Sequence, residues 1–182
     1  MRFKMGKLKI VAGDILSSEF LENCDLVVNP TNPKMVCGSG VCGAIFHKAG
    51  VRELEEYTQR TYNLSYQSQD NCMKVGEIRV TPGFALERDI MFAQGPRLFD
   101  YDDEDEATRL LLRTYENIVN GSAMLGYKQV LVPCMGTGIY GFTHEKTGRV
   151  VFEKLRECVE NVDIEVTLVV YDKDDMKYYT GQ

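Results

Sequence analysis

The chain has 182 residues, 44% hydrophobic and 26% charged, with a formal net charge of −6 and a pI near 5.0, which fits a single domain over residues 1–182 and leaves no room for two ordinary ones. The acidic balance argues against a protein that lives on nucleic acid, because such binding draws its affinity from clustered Lys and Arg. No apolar run is long enough to span a bilayer, and the basic start lacks an apolar signal core, so a cytoplasmic protein without membrane contact is expected.

In chain order, an apolar, β-branched run at residues 8–11 predicts the first strand, and Ala12-Gly13-Asp14-Ile15 follows it. A second run at residues 26–28 leads through Asn29 and Asn32 into a glycine-rich loop (Cys37-Gly38-Ser39-Gly40-Val41-Cys42-Gly43) that opens a small-residue helix. Glycines turn sharply and present bare N–H groups, and the positive end of the helix adds its partial charge, so this is the layout of an anion cradle. Strands are predicted again at residues 78–81 and 90–93. Ala107, Leu111, Ile118 and Ser122 fall on one helical face, and the acidic run 102–106 sits where a helix N-terminus favours negative charge.

A strand at residues 130–132 precedes a second glycine loop, Cys134-Met135-Gly136-Thr137-Gly138-Ile139-Tyr140-Gly141-Phe142. Val151, Leu155, Cys158 and Val159 stripe the last long helix, with Thr143 as its N-cap, and residues 166–170 form the last strand. Strands alternating with helices, each strand a nearly continuous apolar run, predict a largely parallel sheet covered on both faces. Ligands of such folds bind at the carboxyl ends of the strands, where both glycine loops would lie. Neither GxxxxGK[ST] nor a GxGxxG after the first strand is present, so the usual nucleotide fingerprints do not apply. Six cysteines without a CxxC pair read as reduced thiols. No cofactor or metal is expected, and the one cluster to test for metal is Cys37, Cys42 and His47.

Taken together, Ala12-Gly13-Asp14-Ile15, Val27-Val28-Asn29-Pro30-Thr31-Asn32, Gly38-Ser39-Gly40-Val41, Thr81-Pro82-Gly83-Phe84, Gln94-Gly95-Pro96 and Gly136-Thr137-Gly138-Ile139-Tyr140-Gly141-Phe142 resemble, in order, the macrodomains, which bind ADP-ribose. The resemblance implies a three-layer α/β/α sandwich around a mixed, mainly parallel sheet of six or seven strands. It implies Asp14, with the Ile15 amide, at the adenine; Gly40, Val41 and Cys42 on one side of the diphosphate; and Gly136, Thr137, Gly138, Ile139 and Tyr140 on the other. Phe142 would lie near the distal ribose. Asn32 would bind the distal ribose hydroxyls and orient a water, as the catalytic residue, while Asn29 braces the loop. Asp14 is also placed to cap a helix after Gly13.

One departure is chemical: many macrodomains that remove ADP-ribose from acidic residues carry an aspartate where this chain reads Cys42. The expected function is hydrolysis of an ADP-ribose derivative at the distal ribose, in the form of protein mono-ADP-ribose, O-acetyl-ADP-ribose or ADP-ribose 1″-phosphate. The alternatives are an ADP-ribose reader without turnover and a metal- or thiol-dependent variant built on Cys37, Cys42 and His47. The expected partner is ADP-ribose or an ADP-ribosylated protein.

Overall fold

A computed structural model describes residues 5–181. Six strands form one sheet: β1 (Lys7–Ala12), β2 (Leu26–Pro30), β3 (Ile78–Thr81), β4 (Asp89–Ala93), β5 (Gln129–Pro133) and β6 (Glu165–Val170), in the spatial order β1-β6-β5-β2-β4-β3. All neighbours are parallel except β3, which pairs antiparallel with β4 at one edge. Each strand contains an apolar run read from the sequence, and the sheet is mixed, mainly parallel and six-stranded, as expected.

Alternation along the strands divides the core in two. Leu26, Val28, Met91, Val130, Val132, Val166 and Leu168 face one side, against α4 (Glu104–Met124) and α5 (His144–Val159). Val27, Ile90, Phe92, Leu131 and Val169 face the other, with α1 (Ser18–Leu21), α2 (Gly40–Ala49) and α3 (Val51–Thr61). A short α6 (Lys177–Thr180) packs on α5 and sends the buried Tyr179 into the first cluster. A period-two strand has two faces to bury, so a sheet apolar on both must take helices on both, giving the three-layer sandwich.

Helix starts follow local chemistry. The acidic run begins α4, where Asp103 caps through a hydrogen bond from the Asp105 amide (2.9 Å). Thr143 caps α5, accepting from the Lys146 amide (3.3 Å). Thr143→Ala is therefore expected to lower stability by about 1 kcal/mol, read as a shift in the urea midpoint with an unchanged slope. No helix among the described residues is long and apolar enough to cross a membrane.

Candidate functional site

The carboxyl ends of the parallel strands gather the motifs at one edge. After β1, Gly13 donates its N–H to the Val170 carbonyl (2.9 Å) and so ties the turn to the end of β6. Asp14 is exposed, and its Oδ1 accepts from the Leu16 amide (2.9 Å), leaving the other carboxylate oxygen toward solvent. The residue at the N-cap of α1 is Ser17, so Asp14 folds its own turn and does not cap that helix. Ile15 is buried behind it. Because Ala12 and Val170 are register partners, Tyr171 leaves β6 at the level of Gly13-Asp14, and it is 80% exposed.

The first glycine loop follows β2. Asn32 is held by a reciprocal pair: its Nδ2 donates to the Val36 carbonyl (2.7 Å) and its Oδ1 accepts from the Val36 amide (3.2 Å). A carboxamide has two donors and two acceptor lone pairs, so Asn32 keeps one of each free while its orientation is fixed. Helix α3 bolts the same loop from below. Glu55 accepts from the Cys37 amide (2.8 Å), Thr58 donates to the Met35 carbonyl (3.1 Å), and Gln59 donates to the Lys34 carbonyl (3.1 Å).

Ser39 is the N-cap of α2 but makes no capping bond, so the first-turn amides of Gly40, Val41 and Cys42 are left without the usual cap. Gly40 has φ +59 and nothing within 4 Å of where a Cβ would stand, which leaves open space over those amides. The Cys42 side chain reaches back under the loop, its Sγ 3.8 Å from the Val36 carbonyl. Burial pushes its thiol pKa above the usual 9.0, opposed by the Gly38 peptide and the Asn29 carboxamide beside it. Burial also raises Cys37, helped by the Glu55 carboxylate. Cys42 is thus a neutral thiol at neutral pH. His47 is exposed on α2, and no cluster of three His, Cys, Asp or Glu able to hold a metal occurs among the described residues, so Cys37, Cys42 and His47 do not assemble into a metal site.

The second glycine loop follows β5, the strand next to β2, so the two loops stand side by side. Gly136 has φ +78, and a Cβ there would lie 2.7 Å from the Phe142 ring, whose own amide donates to the Gly136 carbonyl (3.0 Å). Phe142 is 4% exposed and supports the loop from below. Gly138 and Ile139 stand outermost, and Thr137 donates to the Cys134 carbonyl (3.1 Å). Tyr140 joins the loops: its hydroxyl donates to the Thr31 carbonyl (3.2 Å) and lies 3.5 Å from the Gln94 amide nitrogen. His144, which follows the second loop and starts α5, is held against the Tyr179 hydroxyl (2.7 Å) and the Asp175 carboxylate (3.5 Å), an acidic partner that sequence distance hides.

Sequence reasoning missed Tyr171, Glu55 and the bridging part of Gln94. Only Gln94 carried a signal, as the residue before Gly95-Pro96. Among the described residues, the buried side-chain atoms lacking a hydrogen-bond partner belong to Ser17, Asn29 and Gln94, all at this carboxyl edge. Unpaired buried polar groups cost stability and collect where function overrides packing.

Two amide-rich loops after adjacent parallel strands, one opening an uncapped helix, define an α/β/α protein built to hold an anionic ligand at the carboxyl edge of its sheet. The profile of the Macro domain matches residues 28–151, and the chain belongs to that family. It is 32% identical to O-acetyl-ADP-ribose deacetylase 1 of Pantoea vagans, across 96% of this chain and 97% of that one. An O-acetyl-ADP-ribose deacetylase of Cronobacter sakazakii is 28% identical across 96% and 92% of the two chains. The Oceanobacillus iheyensis macrodomain with ADP superposes with a TM-score of 0.83 at 26% identity, covering 100% of this chain and 92% of that one.

Proposed function

We propose that this chain, as a single macrodomain, binds ADP-ribose and hydrolyses an ester at its distal ribose. The observation that carries the reading is the pairing of the uncapped α2 amides with the Gly136–Tyr140 loop across adjacent strands, beside an oriented Asn32 with spare hydrogen-bonding capacity. It is supported by relatives of nearly the same length named as O-acetyl-ADP-ribose deacetylases.

On this reading the free oxygen of Asp14 accepts from the adenine amino group, with the Ile15 amide beside it, and Tyr171 stacks on the ring. Gly40, Val41 and Cys42 hold the diphosphate from one side, and Gly136, Thr137, Gly138, Ile139 and Tyr140 from the other. Phe142 shapes the distal-ribose end through Gly136. Asn32 binds a ribose hydroxyl with one group and orients a water with the other, the second hold on the water coming from the substrate's own phosphate. The water oxygen adds to the ester carbonyl carbon, and loop amides hold the charge that develops. The carbonyl–ribose oxygen bond then breaks, the ribose oxygen takes a proton, and the acid is released. The same chemistry serves O-acetyl-ADP-ribose and an aspartyl or glutamyl ester on an ADP-ribosylated protein in the cytoplasm.

Cys42 supports the second reading, an ADP-ribose reader, because a neutral thiol is a poor general base at neutral pH. Calorimetric titration with ADP-ribose, run beside a turnover assay on O-acetyl-ADP-ribose, separates the two: binding with turnover supports the hydrolase, binding alone the reader, and no binding rejects both. Since the water is held by Asn32 and phosphate, Cys42→Ser is expected to keep kcat within about threefold. A loss of several orders of magnitude would put the sulfur in the chemistry.

A further inference from the structure

Asn29 is the one residue among those described whose side chain is fully buried, 0% exposed, with both carboxamide heteroatoms lacking a hydrogen-bond partner in the protein. It belongs to β2, three residues before Asn32, and its carboxamide lies beside the Cys42 sulfur without hydrogen-bond geometry to it. Cys42, itself 7% exposed, reaches the Val36 carbonyl (3.8 Å) to which Asn32 also donates (2.7 Å). Asn32 and Cys42 meet again above at Gly38: a Cβ there would stand 3.5 Å from both the Asn32 Nδ2 and the Cys42 Sγ, and Gly38 faces solvent. Asn29, Cys42 and Asn32 therefore form a continuous column from the sheet to the mouth of the loop.

An amide buried without a partner is destabilising, and an apolar side chain of the same shape would be tolerated as well or better. A buried carboxamide without a protein partner is met by an ordered water, which needs two to four polar partners; Asn29 offers a donor and an acceptor, and the Cys42 sulfur beside it adds a weak third. We propose that Asn29 is a positioning residue for the hydrolytic reaction: its carboxamide holds a buried water against Cys42, and through that column fixes the water that Asn32 orients. This rests on the hydrolase reading. It also gives Cys42 a part compatible with a neutral thiol, a weak partner to a held water and not a base.

The test is Asn29→Leu, close in volume and apolar, beside Asn29→Ser, which keeps a hydroxyl able to hold water. Thermal unfolding, calorimetric ADP-ribose affinity and kcat on O-acetyl-ADP-ribose are measured for each. The expected result for Asn29→Leu is an unfolding midpoint at or above wild type, a Kd within about threefold, and kcat lower by about tenfold or more; Asn29→Ser should recover part of the kcat. An unchanged kcat in Asn29→Leu, with wild type active, overturns this inference and leaves the hydrolase reading standing. A lowered midpoint with Kd and kcat falling together makes Asn29 merely structural, and a Leu variant that does not fold shows that the amide is paired; both overturn the proposal. A wild type that binds ADP-ribose without turnover removes the hydrolase reading, and this inference with it.

Discussion

Asn32→Ala is expected to lower kcat on O-acetyl-ADP-ribose by about a hundredfold while weakening ADP-ribose binding by less than about tenfold. The asymmetry follows from how the side chain is held. Its two bonds to Val36 fix its orientation before any ligand arrives and leave one N–H and one lone pair to spare. A ribose hydroxyl taken by one of these groups adds modest affinity, whereas a water taken by the other matters only at the transition state. Alanine also removes the clamp on Val36, so Asn32→Asp is the necessary companion: it keeps an acceptor for the Val36 amide but loses the donor to the carbonyl. Steady-state kinetics beside calorimetry reads the split. Equal losses in kcat and affinity would make Asn32 a binding residue only.

Asp14→Ala is expected to weaken ADP-ribose by roughly 1.5–3 kcal/mol, the value of a hydrogen bond to a charged group, with kcat at saturation little changed. Asp14 is exposed and spends one oxygen on the Leu16 amide, so the substitution costs a local turn but exposes no buried charge. A fall in stability should therefore be small, and a fall in affinity should be absent for ribose phosphate, which lacks the base. Unchanged calorimetric affinity for ADP-ribose would remove Asp14 from the adenine site.

The sheet was legible because its signal is local. Residues 26–28 are apolar throughout and residues 166–170 are apolar but for Thr167, as strands buried on both faces must nearly be, and they lie within β2 and β6. The Thr143 cap and the acidic start of α4 were legible for the same reason, since both are written within a few residues of the helix they start, whereas the choice of Asp103 as the capping residue came from the structure. The two glycine loops could be seen, and the family resemblance set them on two sides of one diphosphate; the strand order that brings them together, with β5 beside β2, is encoded in no local pattern. Contacts across long sequence separations were hidden altogether. Tyr140 reaches Thr31, Glu55 holds Cys37, and His144 meets Asp175 and Tyr179 only after the chain has folded. Cys42 shows the limit most plainly. The sequence shows a cysteine in the first turn of α2; burial is what keeps its thiol neutral, and the unpaired Asn29 beside it is visible only in three dimensions.

A water held by Asn32, with neither metal nor thiol in the chemistry, is tested most directly by a time course of ADP-ribose appearance from O-acetyl-ADP-ribose, with wild type, Asn32→Ala and Cys42→Ala each run with and without a chelator. Steady release is expected from wild type and Cys42→Ala, insensitive to the chelator, with near-background release by Asn32→Ala. Release that disappears with Cys42→Ala or with the chelator, or that persists in Asn32→Ala, would contradict that mechanism.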